Sequence, residues 1–355
     1  MSRALAKLKI KGTHLSAAVI ATMLNSCSVF ADLTPGLRVF DYGTGRVIKS
    51  LPPGQYREMI CEGAAMHRSF FTLTQEDQSL IIRRRDGEGT ERKRYKLPLL
   101  NSVWHEPFWL AVSPNGKRIA YWHSKTKSLR VRSLDSGDET TVFRGGKGLS
   151  TELDLITWKD SENIVIVSDP GIADFDYRDI YRISISGSVK HARTQFGLYP
   201  RLSLSPEKRL IGGVISVTHK PNPDWKQGDQ VMIFNLDSMS EYLRAPKIRP
   251  RQRIGQIEWS DDGKSIVFPL KVSGDKVESM YHFVLASRNA INIEHPWTDD
   301  TMSAVGSKDG SMLFSSAGKL KWYNLGKKTW EECPRPTGRI VGWIPGTSRW
   351  LITDY

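Results

Sequence analysis

Apolar residues along this chain fall in short runs that alternate with clusters of Asp, Asn, Gly and Ser, rather than in a helical rhythm. The clearest unit is Leu110 to Phe143. It reads as strand (LAVS), turn (PNGK), strand (RIAYWHS), strand (SLRVRSL), turn (DSGD) and strand (ETTVF). Runs rich in Val, Ile, Tyr and Phe between such turns predict a four-stranded antiparallel meander. No stretch carries convincing helical periodicity, which argues against an α/β enzyme fold.

The first turn recurs as SPNG at Ser113, KDSEN at Lys159, SPEK at Ser205, SDDG at Ser260, SKDG at Ser307 and IPGTS at Ile344. Successive starts are 46, 46, 55, 47 and 37 residues apart. A period near 46 lies beside the roughly 40 to 50 residues of known propeller blades. The hairpin between third and fourth strands also recurs, as NLDSMSEYL, VLASRNAINI, YNLGKKTW and VFDYGTGRVI. A further unit, poorer in its first turn, fits between Arg57 and Leu97.

The chain ends complete the pattern. Leu37 to Leu51 supply only a third and a fourth strand, and Arg339 to Tyr355 only a first and a second. Joined, they make one composite blade and leave no open sheet edge between the termini. The expected fold is therefore all-β: a single β-propeller of about seven four-stranded blades over residues 32–355, closed by a composite blade from both termini. Six or eight blades follow if one boundary is misplaced, most readily that of the Arg57 unit.

Residues 1–31 have the three-part layout of a signal peptide: Arg3, Lys7, Lys9 and Lys11 without an acid, then the apolar run Leu15 to Leu24, then small and polar residues. The run is too short for the roughly 20 residues that span a bilayer. Val29 and Ala31 suit ordinary cleavage before Asp32. Leu24, Asn25, Ser26 and Cys27 resemble a bacterial lipobox, in which the signal ends at residue 26 and Cys27 carries the lipid. Both cleavages stay open, and either makes this an exported protein, periplasmic or secreted, or an outer-membrane lipoprotein.

Loss of the leader lowers the formal charge from +13 to +9. Such a surplus favours anionic partners, which in the cell envelope means head groups, acidic polysaccharide or acidic protein rather than nucleic acid. It also serves solubility alone. Beyond the leader only Cys61 and Cys333 remain. The repeat puts them on different blades with another between, so no disulfide is expected, because bridged Cα atoms lie within about 7 Å.

Two segments, VSPNGKRIAYWHSKTKSLRVRSLDSG and more loosely WSDDGKSIVFPL, resemble the WD40-like repeat of TolB-type propellers, which also occurs in the propellers of dipeptidyl-peptidase-like hydrolases. The resemblance implies a periplasmic or secreted propeller, often a binding platform. It covers the architecture of the mature chain and not its details. TolB's separate N-terminal domain and an appended hydrolase domain both find no counterpart, so neither family's specific role carries over.

Catalytic signatures are absent. No GxSxG elbow is present; the SxxK matches at Ser205 to Lys208 and Ser316 to Lys319 fall in turns of the repeat. Gly263, Lys264 and Ser265 imitate the end of a phosphate-binding loop, but Glu258 stands where such a loop needs glycine. His67, His105, His123, His191, His219, His282 and His295 show no paired metal-ligand spacing. Asp174, Asp176 and Asp179 could contribute to a calcium site, though solvated loop carboxylates are the plainer reading. No cofactor or metal is expected.

Strand direction alternates in a meander, so loops between second and third strands share a face with the linkers between blades. The long loops fall there: Pro170 to Asp179, Thr218 to Gln230 and Lys271 to Ser279. Function concentrates on such loops. The candidate binding residues are Trp104, His105, Asp174, Asp176, Tyr177, Arg178, Arg201, Trp225, Arg251, Arg253, Trp297 and Asp299. Aromatics beside arginines can stack on sugars or pack on a partner, and arginine pairs with carboxylate or phosphate. Trp158, Trp259 and Trp322 lie inside strands and are expected to pack between blades. The leading expectation is a monomeric, non-enzymatic envelope propeller that binds a protein partner or an anionic glycan through this face. The alternative is a polysaccharide lyase or hydrolase whose active residues converge from several blades.

Overall fold

The computed structural model describes residues 37–41, 44–51, 56–60, 69–76, 79–98, 110–146, 149, 153–170, 177–197, 201–215, 228–249, 252–271, 277–293, 302–308, 310–316, 319–333, 339–343 and 349–353. Among them every regular element is a β-strand except one short helical turn at Ser124–Thr126. None is a helix long and apolar enough to cross a membrane. The leader, with Cys27, and Cys61 lie outside the described residues.

The strands form seven antiparallel sheets. The first joins Leu37–Asp41 and Arg46–Ser50 to Arg339–Trp343 and Arg349–Thr353, with Val39 opposite Leu351. The other six are consecutive meanders: Tyr56–Pro98, Leu110–Arg144, Leu153–Thr194, Ser203–Arg244, Arg253–Ile293 and Met302–Glu332. The Arg57 unit is thus a whole sheet, and the connection between its first and second strands, residues 61–68, lies outside the described residues. In the sixth sheet the innermost strand is split into Arg253–Ile254 and Glu258–Trp259, both paired with Ser265–Lys271.

The central strands bury both faces, as in NIVIVS and RIAYWH, so they read as continuous apolar runs rather than as alternation. Burying each such Val or Ile is worth about 1.5–3 kcal/mol relative to exposure. Each sheet packs on the next. Ile82 and Tyr95 meet Val112 and Tyr121; Trp122 meets Trp158 and Ile164; Val167 and Phe196 meet Ile211 and Phe234. Ile233 meets Trp259 and Phe268, Val267 meets Met312 and Phe314, and Trp322 meets Phe40 and Ile352. The first sheet also touches the second: Lys49 Nζ donates to Thr90 Oγ1 at 3.0 Å, and a Cβ on Gly89 would lie 2.9 Å from Val39. Trp158, Trp259 and Trp322 pack between sheets, as expected. Cys333 lies buried beside Trp322 as a thiol, and burial pushes it up to about 12.

The recurring serine of the first turn has a mechanical role. Ser113 and Ser260 are buried; each Oγ donates to the side chain two residues on, Asn115 or Asp262, and accepts from the main-chain N–H that opens the second strand. Ser205 Oγ likewise accepts from Leu210 N. The hairpins between third and fourth strands share a left-handed residue. It is glycine in the first four sheets (Gly45, Gly89, Gly137, Gly187) and Met239, Arg288 and Lys328 in the last three, with φ of 56°, 55° and 58°. A side chain there costs energy that glycine avoids. Met239→Gly and Arg288→Gly are each expected to raise stability by about 0.5–1 kcal/mol, seen as a higher urea midpoint at unchanged slope. An unmoved midpoint would show that side-chain contacts offset the strain.

Four outer strands carry one extra residue, at Ile48, Arg92, Val142 and Tyr242. Such bulges bend an edge away from pairing with another chain.

Candidate binding face

The long loops leave one end of the fourth, fifth and sixth sheets, and the linkers between these sheets run at the same end. Two anchors hold the bases of the first two loops. In the fourth sheet the innermost strand has a register shift between Leu153 and Leu155, which makes Asp154 the extra residue of a bulge. Bulges re-aim side chains. Arg178, the first residue of the third strand, reaches across: its Nε donates to Asp154 Oδ2 at 2.6 Å, its Nη1 donates to the Tyr177 carbonyl at 2.8 Å, and Nη1 lies 3.9 Å from Asp169 Oδ2. One guanidinium thus ties the start of the first strand to both ends of the 170–177 loop. Arg178 is only 1% exposed. The sequence placed it among ligand-contacting residues; its burial and its two carboxylates make it the support of the loop instead, because a planar cation with several donors satisfies several acceptors at once.

Behind it, Asp179 is buried and receives two hydrogen bonds from Arg193, at 2.9 and 3.2 Å. His191 Nε2 stands 3.1 Å from the same carboxyl, with its ring stacked on Tyr181. Burial alone would push the Asp179 carboxyl up; the hydrogen bonds from Arg193 and His191 outweigh it and hold the group below the usual aspartate value. Asp179 is thereby committed to Arg193 and His191 on the next strand, which removes it from the calcium reading. Among the described residues no group of three or more His, Cys, Asp or Glu could hold a metal ion.

The second anchor is Asp229, at the end of the 216–229 loop. It is buried, and its Oδ2 accepts from Ile254 N at 3.2 Å while its carbonyl accepts from Ile248 N at 3.3 Å. Gln230 Nε2 donates to the Ala245 carbonyl at 2.7 Å. The chain presses so closely here that a Cβ on Gly228 would lie 2.4 Å from the Ile248 oxygen. The described ends of loop and linker are thus held together, and beyond them Arg253 is exposed at the first strand of the sixth sheet. The linker before the fifth sheet is pinned by Phe196, which is fully buried over Gly213, and by Gly197 N donating to the Val214 carbonyl at 3.0 Å. It leads to Arg201, half-buried at φ 46°.

Of the sequence candidates, then, Tyr177, Arg201 and Arg253 stand at this end, with Arg178 beneath them. Trp104, His105, Asp174, Asp176, Trp225, Arg251, Trp297 and Asp299 lie outside the described residues. Asp154 and Asp229 escaped the sequence reading. A bulge leaves no linear signal, and an aspartate ending a polar loop looks like its solvated neighbours.

No protein-family model matches the chain, and no curated protein matches it. Solved structures do. The oligogalacturonate lyase of Vibrio parahaemolyticus aligns with a TM-score of 0.58 at 10% identity, over 91% of this chain and 98% of that one. The Dos1 propeller aligns at 0.51 and 12% identity, over 81% and 75%. TolB from Acinetobacter baumannii gives 0.41 and 12%, over 94% and 67%. At such identities the first two likenesses speak to the fold alone, and together with the stacked four-stranded meanders they establish it: the chain is a β-propeller.

Proposed function

We propose that this protein is a non-enzymatic binding platform of the cell envelope, exported by its leader, that takes an acidic protein partner or an anionic glycan on the long-loop face. The observation that carries the reading is the pair of anchors, Arg178 with Asp154 and Asp229 with Ile254, on adjacent sheets. They give loops 170–177 and 216–229 rigid bases and set Arg201 and Arg253 between and beside them. A platform whose loops are already ordered at their roots loses less entropy when it binds. Capture of envelope extract on tagged protein tests this. A stoichiometric acidic partner, retained by wild type and lost from Trp225→Ala/Arg251→Ala/Arg253→Ala, is the expected result. Intact mass of the same preparation shows whether Cys27 carries lipid. No capture of either protein or acidic glycan by wild type overturns the platform.

A second reading rests on the alignment over nearly the whole lyase chain. A polyuronate is an anionic glycan and suits the same arginines. Incubation with acidic oligosaccharides separates the readings: new chain ends appearing in proportion to enzyme indicate cleavage, whereas binding without product supports the platform.

A further inference from the structure

The outermost strand of a sheet leaves a row of main-chain N–H and C=O groups unpaired, and proteins guard such edges with charges, proline or bulges. The outer strands of the seven sheets are Arg46–Ser50, Glu91–Pro98, Glu139–Arg144, Val189–Thr194, Ser240–Arg244, Asn289–Ile293 and Thr329–Glu332. Six of them are guarded. The four with bulges also hold Arg46 and Lys49, Arg92 to Arg94, Glu139 and Arg144, or Glu241 and Arg244. The fourth sheet's strand holds Lys190 and Arg193, and the seventh's holds Glu331 and Glu332. The sixth sheet's strand, NAINI, has no charge, no proline and no bulge.

Its register is unbroken from Val284 opposite Asn289 to Met280 opposite Ile293, so the open edge runs straight for roughly 17 Å. The strand is also held firmly. Ala290 packs on the core shared with the fifth sheet and Ile293 on the core shared with the seventh. Ile291 is half-buried between them in sequence, and Asn289 and Asn292 are exposed.

A second copy of the same strand fits this edge. Two such strands running antiparallel about Ile291 set Ile291 opposite itself, Ala290 opposite Asn292 and Asn289 opposite Ile293. An apolar pair then lies at the centre, and within the strand no like charges face each other. The flanks select the direction. Arg288 precedes the strand in sequence and Glu294 follows it, so antiparallel copies bring a cationic end to an anionic end twice, whereas parallel copies set like charge beside like. A partner strand of a single sign gains from only one flank.

We propose that Asn289–Ile293 is a homodimer edge, on which a second copy of this protein lays its own Asn289–Ile293 strand to make one sheet running through both copies. Main-chain groups left open in one copy pair across a two-fold axis, and the interface is the same patch on both. The strand runs from its hairpin toward the long-loop end, so antiparallel pairing points the two long-loop ends in opposite directions. The monomer expected from the sequence is on this proposal one half of a pair.

Sedimentation of protein purified from its native envelope tests this. Pairing over five residues is a small interface of roughly micromolar strength, so wild type is expected to pass from one copy to two between about 1 and 100 μM. Ile291→Lys sets two ammonium groups opposite each other and should weaken the dimer about tenfold or more. Tyr242→Lys, at the most exposed apolar side chain of the fifth sheet's outer strand, should leave it unchanged. All carry the same N-terminus, so association through the leader or a lipid is common to all. A wild type that stays single up to about 100 μM, a dimer that survives Ile291→Lys, or an equal loss in Tyr242→Lys overturns the proposal. Should Ile291→Lys fold poorly, the flanks decide: Arg288→Glu should weaken the dimer and Arg288→Glu/Glu294→Arg restore it, and failure to restore overturns antiparallel pairing. Amide exchange identifies what covers the edge. Protection of Asn289–Ile293 that rises with protein concentration supports the second copy. Protection independent of concentration, or gained only when envelope extract is added, assigns the edge to the protein's own chain or to another protein and overturns it.

Discussion

Replacing Trp158 with alanine is expected to cost about 3–5 kcal/mol, the largest loss available from one side chain at a seam between sheets. The indole is fully buried between the third and fourth sheets, among Ala111, Trp122 and Ile164, so truncation empties a volume that two stiff sheets cannot refill. It also removes the donor to the Ala111 carbonyl, which no longer reaches water. Trp158→Phe separates the two contributions. It keeps most of the apolar area and loses the hydrogen bond, for roughly 1–2 kcal/mol. Urea unfolding followed by far-ultraviolet dichroism measures both. A loss below about 1 kcal/mol for the alanine variant would mean that the two sheets close over the gap, and that the seam is softer than its packing indicates.

Arg178→Met is expected to cost about 3 kcal/mol, and to do so at the binding face. Removing one partner of a buried ionic cluster leaves the others with charge they cannot solvate, a loss of roughly 3–5 kcal/mol when all members are buried. Here Asp154 and Asp169 keep side-chain exposures of 26% and 29%, which puts the figure at the low end. Arg178→Lys should recover only part, because an ammonium cannot serve Asp154, Asp169 and the Tyr177 carbonyl in one plane. Denaturation gives the stability, and partner capture on the same variants gives the functional cost. If Arg178→Met retained full stability, the two carboxylates would be adequately hydrated without the guanidinium, and the case for a rigid loop base would fail.

The candidate face was legible in outline. Alternating strand direction told which loops share an end, and long loops at Pro170 and Thr218 were visible as polar interruptions of the repeat. The third was shorter than it looked, since Val277–Ser279 continue the strand. Arg178 shows where such reading stops. In sequence it is one more charged residue after DFDY; its burial depends on Asp154, 24 residues earlier and aimed by a bulge. Asp179 stops short for the same reason, because its partners Arg193 and His191 sit on the next strand.

Local chemistry along the chain was enough to determine the class of fold. Apolar runs of strand length, serine-led first turns, hairpins needing a left-handed residue and half-units at both ends all act over a few residues, and each leaves a linear trace. Tertiary structure alone decided which charges are buried, because burial is set by what a neighbouring sheet brings up against a side chain. Nothing in the neighbours of His282 marks it in sequence, yet the register places it, buried, on the face packed against the seventh sheet. Ionisation responds to that enclosure rather than to sequence context. The propeller could therefore be read from its repeat, while its anchors emerged only from the folded chain.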